Sequence, residues 1–169
     1  MVGGGGKPPL GQEPPVRVHP RFNYRTMGNK PGPSRGYAEY IIMEEWNPIP
    51  LPDEVPEEAA ALTEPCAVAV HAIRKSGMKL GDTVGIIGGG PIGMLCLQVA
   101  LAAGAKSVFL SEPAPARSET AIKLGADAVF NPFQDDVTEG MVNLTDGVGP
   151  DVVLDCAGFK NTLDQAFDT

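Results

Sequence analysis

The 169-residue chain is predicted to fold as an α/β protein with a doubly wound parallel sheet, and three observations carry that prediction. Strand-like and helix-like stretches alternate from Val84 to the end. A glycine turn, Gly88-Gly-Gly-Pro-Ile-Gly93, joins the first of those strands to the first of those helices. An acid, Glu112, closes the next apolar run, nineteen positions after Gly93. Alternation of this kind implies right-handed crossovers and a mostly parallel sheet. The expected strand order is 3-2-1-4, with the first strand central: a Rossmann-type sheet, incomplete because fifth and sixth strands are not found.

Taken in order, residues 1–35 hold seven glycines and seven prolines and are expected to be an irregular tail. Arg17, His19, Arg21 and Arg25 form a basic patch with Phe22 and Tyr24 between them. Nucleic-acid contact is one reading of that patch. A solvated tail, or a segment lying on a partner, is the favoured one. Tyr37–Met43 is rich in β-formers and reads as a strand, inside a stretch, 36–60, expected to be a remnant that links to a further domain absent from this chain. Prolines at 48, 50, 52 and 56 punctuate a loop. Glu57 to Ala60 opens a short helix with acids in its first turn. Pro65 is expected to interrupt it, and a second helix follows from Cys66 to Ser76. Its Val68, Val70, Ala72 and Ile73 predict burial, and His71 among them reads as a packed core histidine.

The partial nucleotide domain is assigned to 61–169. Val84–Ile87 is its first strand. Ile92–Ala103 is a helix apolar nearly all round, hence buried on more than one side. Ser107–Leu110 is the second strand, and Arg117–Leu124 a helix with Gly125 just past its end. Ala128–Phe130 is the third strand. Residues 134–146 read as a polar helix with Val137, Met141 and Leu144 inside. Asp151–Asp155 is the fourth strand, an apolar edge with nothing left to cover it. A helix starts at Asn161.

The glycine turn fits a dinucleotide phosphate site. Gly88 allows the tight turn, Gly90 lets backbone approach a pyrophosphate, and Gly93 lets the helix pack close to the sheet. Pro91 has no N–H, so Ile92 and Gly93 are the expected donors at the positive end of the helix. The plain alternative is a glycine turn that binds nothing. Glu112 at the end of the second strand suits the adenosine ribose and repels a 2′-phosphate, which selects NAD over NADP. Its alternative is a surface acid before Pro113.

A formal charge of −8 and a pI near 4.7 argue against nucleic-acid or anionic-membrane partners. No apolar run reaches the roughly 18 residues of a membrane helix, and the N-terminus lacks a signal-peptide layout. Cys66, Cys96 and Cys156 fit neither a zinc spacing nor a disulfide framework, which suits a reducing cytoplasm; buried structural thiols are the favoured reading.

From Gly36 onward the chain resembles the medium-chain, usually zinc-dependent, alcohol dehydrogenases, most of all the polyol, butanediol and threonine dehydrogenase branch. The carriers are Gly36-Tyr-Ala-Glu-Tyr-Ile41, Leu62-Thr-Glu-Pro65, Ala69-Val-His-Ala-Ile73, Gly81-Asp-Thr-Val84 and Gly88–Gly93. Ser111-Glu-Pro113 with Arg117, Lys123–Asp127, Gly149–Val153 and Asp155-Cys-Ala-Gly158 complete them. The resemblance implies NAD-dependent hydride transfer from a secondary alcohol or polyol. It implies that Arg117 lies along the adenine and that Cys156, Ala157 and Gly158 face the cofactor crevice. Without it, Arg117 reads as a solvated helix residue and Asp155 as a strand-end residue. Glu64 resembles a family acid near the catalytic zinc; a helix-capping or hydrogen-bonded role is the alternative. The family's zinc ligands have no counterparts here, since no cysteine precedes Cys66, so zinc is expected for the family and no metal ligand is assigned in this chain. The resemblance describes the parent protein; an isolated NAD-binding module, or a truncated gene product without catalysis, is the alternative, and this chain alone is expected to be inactive. The expected assembly is a monomer, or association through the fourth strand.

Overall fold

The computed structural model describes residues 52–169. The tail, the strand at Tyr37–Met43 and most of the segment 36–60 lie outside the described residues. Within that segment, helix α1 (Glu57–Ala60) is a single turn closed by the Ala60 N–H to the Pro56 carbonyl.

Ala61–Thr169 forms one compact unit. Its elements are α2 (Thr63–Ser76), β1 (Thr83–Ile87), α3 (Pro91–Ala102), β2 (Ser107–Ser111) and α4 (Pro115–Lys123). They continue with β3 (Ala128–Phe130), α5 (Val137–Asn143), β4 (Val152–Asp155) and α6 (Lys160–Asp168). All pairings are parallel and the order is β3-β2-β1-β4, as the alternation predicts.

The period of two along each strand sorts side chains onto two faces. Val84 and Ile86 of β1, beside Val108 and Leu110 of β2, pack under Ala69 and Ile73 of α2 and Cys96, Leu97 and Ala100 of α3. Phe109 points the other way and meets Val137 and Met141 of α5. Each fully buried aliphatic side chain contributes roughly 1.5–3 kcal/mol, so the α2–α3 face, with most of the buried apolar residues, dominates the stability of the unit. Helix α3 starts on Pro91, where a missing N–H costs nothing. Helix α5 starts on Asp136, whose carboxylate accepts the Glu139 N–H at 2.9 Å.

Several expectations are corrected. Pro65 does not interrupt a helix; it sits in the first turn of α2, where its N–H would be free anyway. Val68 is 47% exposed, Val70 and His71 are exposed, and only Ala69 and Ile73 of α2 are buried. The apolar residues of α2 are small and scattered, so the i, i+4 pair that meets α3 decides the buried face. Leu144 caps α5 and is exposed because the helix ends one residue before it. No helix among the described residues is long and apolar enough to cross a membrane.

Asp151 stands just before β4. Its Oδ2 accepts both the N–H and the hydroxyl of Thr83, each at 2.8 Å, and so ties the starts of β1 and β4 together. Those bonds, the backbone N–H first, hold the Asp151 carboxyl below its ordinary value of 3.8. A lowered folded-state pKa adds stability above the unfolded value and loses it as pH falls through the folded one. Asp151→Asn should therefore melt below the parent at neutral pH, and the gap should close as the solution is taken below 3.8. A gap that persists at about pH 2 would assign the effect to shape rather than charge.

Candidate functional site

The carboxyl ends of the strands meet at the glycine turn. Leaving β1, the chain enters Gly88 at φ 100°, a conformation that side chains disfavour. The Gly88 N–H donates to the Ser111 carbonyl at 2.8 Å, extending the β1–β2 ladder by one step. A Cβ on Gly88 would stand 3.0 Å from the backbone nitrogen of Ala157. A Cβ on Gly93 would overlap the Gly88 carbonyl oxygen, and one on Gly89 would press on Glu112 at 3.0 Å. Gly90 is different. Its φ of −73° and ψ of −177° suit any residue, and a Cβ there would meet nothing within 4 Å among the described residues. The packing of this fold gives no reason for a glycine at 90.

Helix α3 begins immediately after that open position. Met94 N–H closes on the Gly90 carbonyl at 2.9 Å. The N–H groups of Ile92 and Gly93 precede the first intrahelical bonds and find no acceptor among the described residues. Pro91 has none to offer.

Glu112 follows β2 and is buried, with 3% exposure. Its Oε2 accepts the Gly89 N–H at 2.8 Å, and its Oε1 accepts the Ala114 N–H at 2.8 Å and the Arg117 guanidinium at 3.0 Å. The acid thus braces the turn rather than projecting from the surface. A carboxylate has about four acceptor positions, so Oε2 retains one. Arg117, 53% exposed, can release a second by swinging outward.

At the end of β4 the Cys156 N–H donates to the Ile87 carbonyl at 2.8 Å. The Cys156 sulfur lies 3.9 Å from that of Cys96, and the contact with that thiol, with burial, pushes the Cys156 thiol above the ordinary cysteine range. Ala157 rests against Gly88, while Gly158 is exposed. A cleft of about 260 Å³ opens at this edge, lined by Ile87, Gly88, Ser111, Phe133, Ala157 and Phe159 among others. The fold brings Gly88 and Ala157 together in it; Glu112, Arg117 and the start of α3 lie outside its lining. Ser111, Phe133 and Phe159 were not anticipated. The usable signal was positional: residues just past parallel strands line the crevice.

Glu64 stands exposed in the first turn of α2 with no hydrogen bond or ion pair among the described residues. The described residues contain no group of three or more His, Cys, Asp or Glu placed to hold a metal ion, so they do not fit the family's zinc.

A family model described as zinc-binding dehydrogenase matches residues 91–169. L-threonine 3-dehydrogenase from Pyrococcus abyssi is 42% identical over 129 residues, covering 76% of this chain and 37% of that protein. The crystal structure of 2R,3R-butanediol dehydrogenase from Bacillus subtilis aligns with a TM-score of 0.65 at 39% identity, covering 70% of this chain and 34% of that one. A zinc-binding dehydrogenase from Sinorhizobium meliloti bound to NADP aligns at 0.60 and 42% identity, covering 64% of this chain and 32% of that one. The chain spans little more than a third of the length of the curated relatives it matches.

Proposed function

The chain belongs to the medium-chain zinc-dependent alcohol dehydrogenase superfamily, a part of whose length it represents, and from that membership we propose that it holds NAD at the carboxyl edge of its sheet for hydride transfer with a secondary alcohol or polyol. The observation that carries the cofactor half is Gly90, a glycine that the described fold does not require, beside two helix-start N–H groups without acceptors among the described residues. A pyrophosphate explains both, since it needs the open space and accepts those hydrogens.

In this reading the N–H groups of Ile92 and Gly93 bind the pyrophosphate. The free acceptor position on Glu112 takes a ribose hydroxyl, and Arg117 moves from Glu112 to lie along the adenine. Cys156, Ala157 and Gly158 form the wall of the crevice on the β4 side. Glu112 disfavours a 2′-phosphate and so favours NAD, although a relative binds NADP. When bound, the nicotinamide supplies the hydride acceptor; the role of these residues is to orient it. No step is assigned to zinc, and Glu64 stays a candidate outer acid by resemblance. Three free cysteines suit a reducing compartment, and we place the reaction in the cytoplasm.

The test is NAD binding and NADH formation by the purified protein. Butane-2,3-diol, L-threonine and sorbitol serve as probes, the first two chosen from the relatives' names. Saturable NAD binding is expected, and alcohol-dependent NADH carries the hydride-transfer half. Saturable NAD binding without turnover on any alcohol would leave a cofactor-binding module and remove the hydride-transfer half.

A further inference from the structure

Each strand that flanks β1 has, at its end or one residue past it, a carboxylate that holds backbone N–H groups. Glu112 does so beside β2. Asp155, the last residue of β4, does so on the other side: its Oδ1 accepts the N–H of Ala157 at 2.9 Å and of Gly158 at 3.1 Å. The Thr162 hydroxyl lies 3.3 Å from Oδ2 and 2.8 Å from the Phe159 carbonyl, and its one proton serves either. The same hydroxyl oxygen accepts the Phe159 N–H at 3.0 Å. Asp155 therefore connects the end of β4 to the loop after it and to the first turn of α6.

That loop is the part of β4 that touches the glycine turn. Ala157 approaches Gly88 so closely that a Cβ there would have to displace it. Whatever fixes Ala157 fixes the width of the crevice between β1 and β4, which is where an open sheet of this order receives its ligand. Hydrogen bonds to an ionised acceptor are stronger than neutral ones, and two from consecutive N–H groups leave the loop little freedom. A loop set before the ligand arrives removes an ordering cost from binding.

We propose that Asp155 is a positioning residue for the dinucleotide, holding the Cys156–Gly158 loop against Gly88 so that the crevice is shaped in the free protein. This rests on the NAD reading given above. Asp155 does not touch the cofactor in this role; it acts through the loop. Asparagine can supply the same Oδ1 acceptor and alanine cannot.

The test is NAD binding by titration calorimetry for the full chain and for Asp155→Ala and Asp155→Asn. It is run well below the melting midpoint of each, alongside amide hydrogen exchange. Asp155→Ala should bind NAD roughly ten-fold more weakly, with Asp155→Asn restored to within about three-fold of the parent. Ala157 and Gly158 should be protected from exchange in the parent before NAD is added, and should lose that protection in Asp155→Ala. Parental affinity in Asp155→Ala overturns the proposal while leaving the NAD site standing. A parent that does not bind NAD overturns both. If Asp155→Ala fails to fold, the parent's exchange decides: Ala157 and Gly158 amides that become protected only on adding NAD exclude a pre-shaped crevice.

Discussion

Gly90→Ser should leave the melting midpoint level or slightly raised and remove most of the chain's affinity for NAD, roughly 30-fold or about 2 kcal/mol. The two halves of that result have separate causes. Gly90 is the residue before α3, with extended backbone and open space around its missing side chain. Serine is as good a residue as glycine or better at that position, because its hydroxyl can accept an orphan N–H. The fold therefore loses nothing. The same hydroxyl fills the place of a phosphate oxygen and competes for the N–H groups of Ile92 and Gly93. Gly93→Ala is the necessary contrast. Its Cβ runs into the Gly88 carbonyl, which is backbone and cannot step aside. Overpacking of this kind costs about 1–3 kcal/mol, so that variant should melt well below the parent. Calorimetric melting and NAD titration on both variants separate a glycine kept for the ligand from one kept for the fold. Equal NAD affinity in Gly90→Ser and the parent would sink the pyrophosphate assignment.

Glu112→Ser should lower stability by about 2 kcal/mol and also reduce the preference for NAD over NADP by roughly ten-fold or more. The stability loss follows from the buried carboxylate, which accepts from Gly89, Ala114 and Arg117. Serine is too short to reach all three donors. A buried N–H left without an acceptor costs on the order of 1–3 kcal/mol, reduced where water enters the space. The change in preference follows from charge. Removing the carboxylate removes the repulsion of a 2′-phosphate and frees Arg117 to attract one. Melting curves and paired NAD and NADP titrations read both effects. A variant that loses stability but keeps the parental NAD-to-NADP ratio would leave Glu112 as a brace for the turn and nothing more.

The parts of this molecule legible in the sequence are those set by period and backbone. Alternating elements from Val84 fixed the parallel order, and Val84, Ile86, Val108 and Leu110 fall on one face because a strand has a period of two. The glycine turn was legible for the same reason, since Gly88 and Gly93 answer to backbone geometry that few other residues satisfy. Helix α2 was misread where only tertiary packing decides. Val68, His71 and Ile73 are all compatible with burial in the linear pattern, and contact with α3 selects Ile73 alone among them. Proline breaks a helix interior but not a first turn, and the linear pattern does not show which of the two Pro65 occupies. The position of Glu112 was legible from its offset, but its three donors were not, because two come from neighbouring backbone and one from the next helix. Asp155 and the cleft residues Phe133 and Phe159 belong to the same class. They depend on loops whose paths no periodicity describes.

Every role proposed for the crevice depends on the turn at Gly88–Gly93 binding a dinucleotide. Calorimetric titration of the purified chain with NAD, beside NADP, tests it most directly. Saturable binding of one NAD per chain is expected, with NADP weaker by about ten-fold or more. No saturable heat with either dinucleotide, from a chain that melts cooperatively, would contradict it.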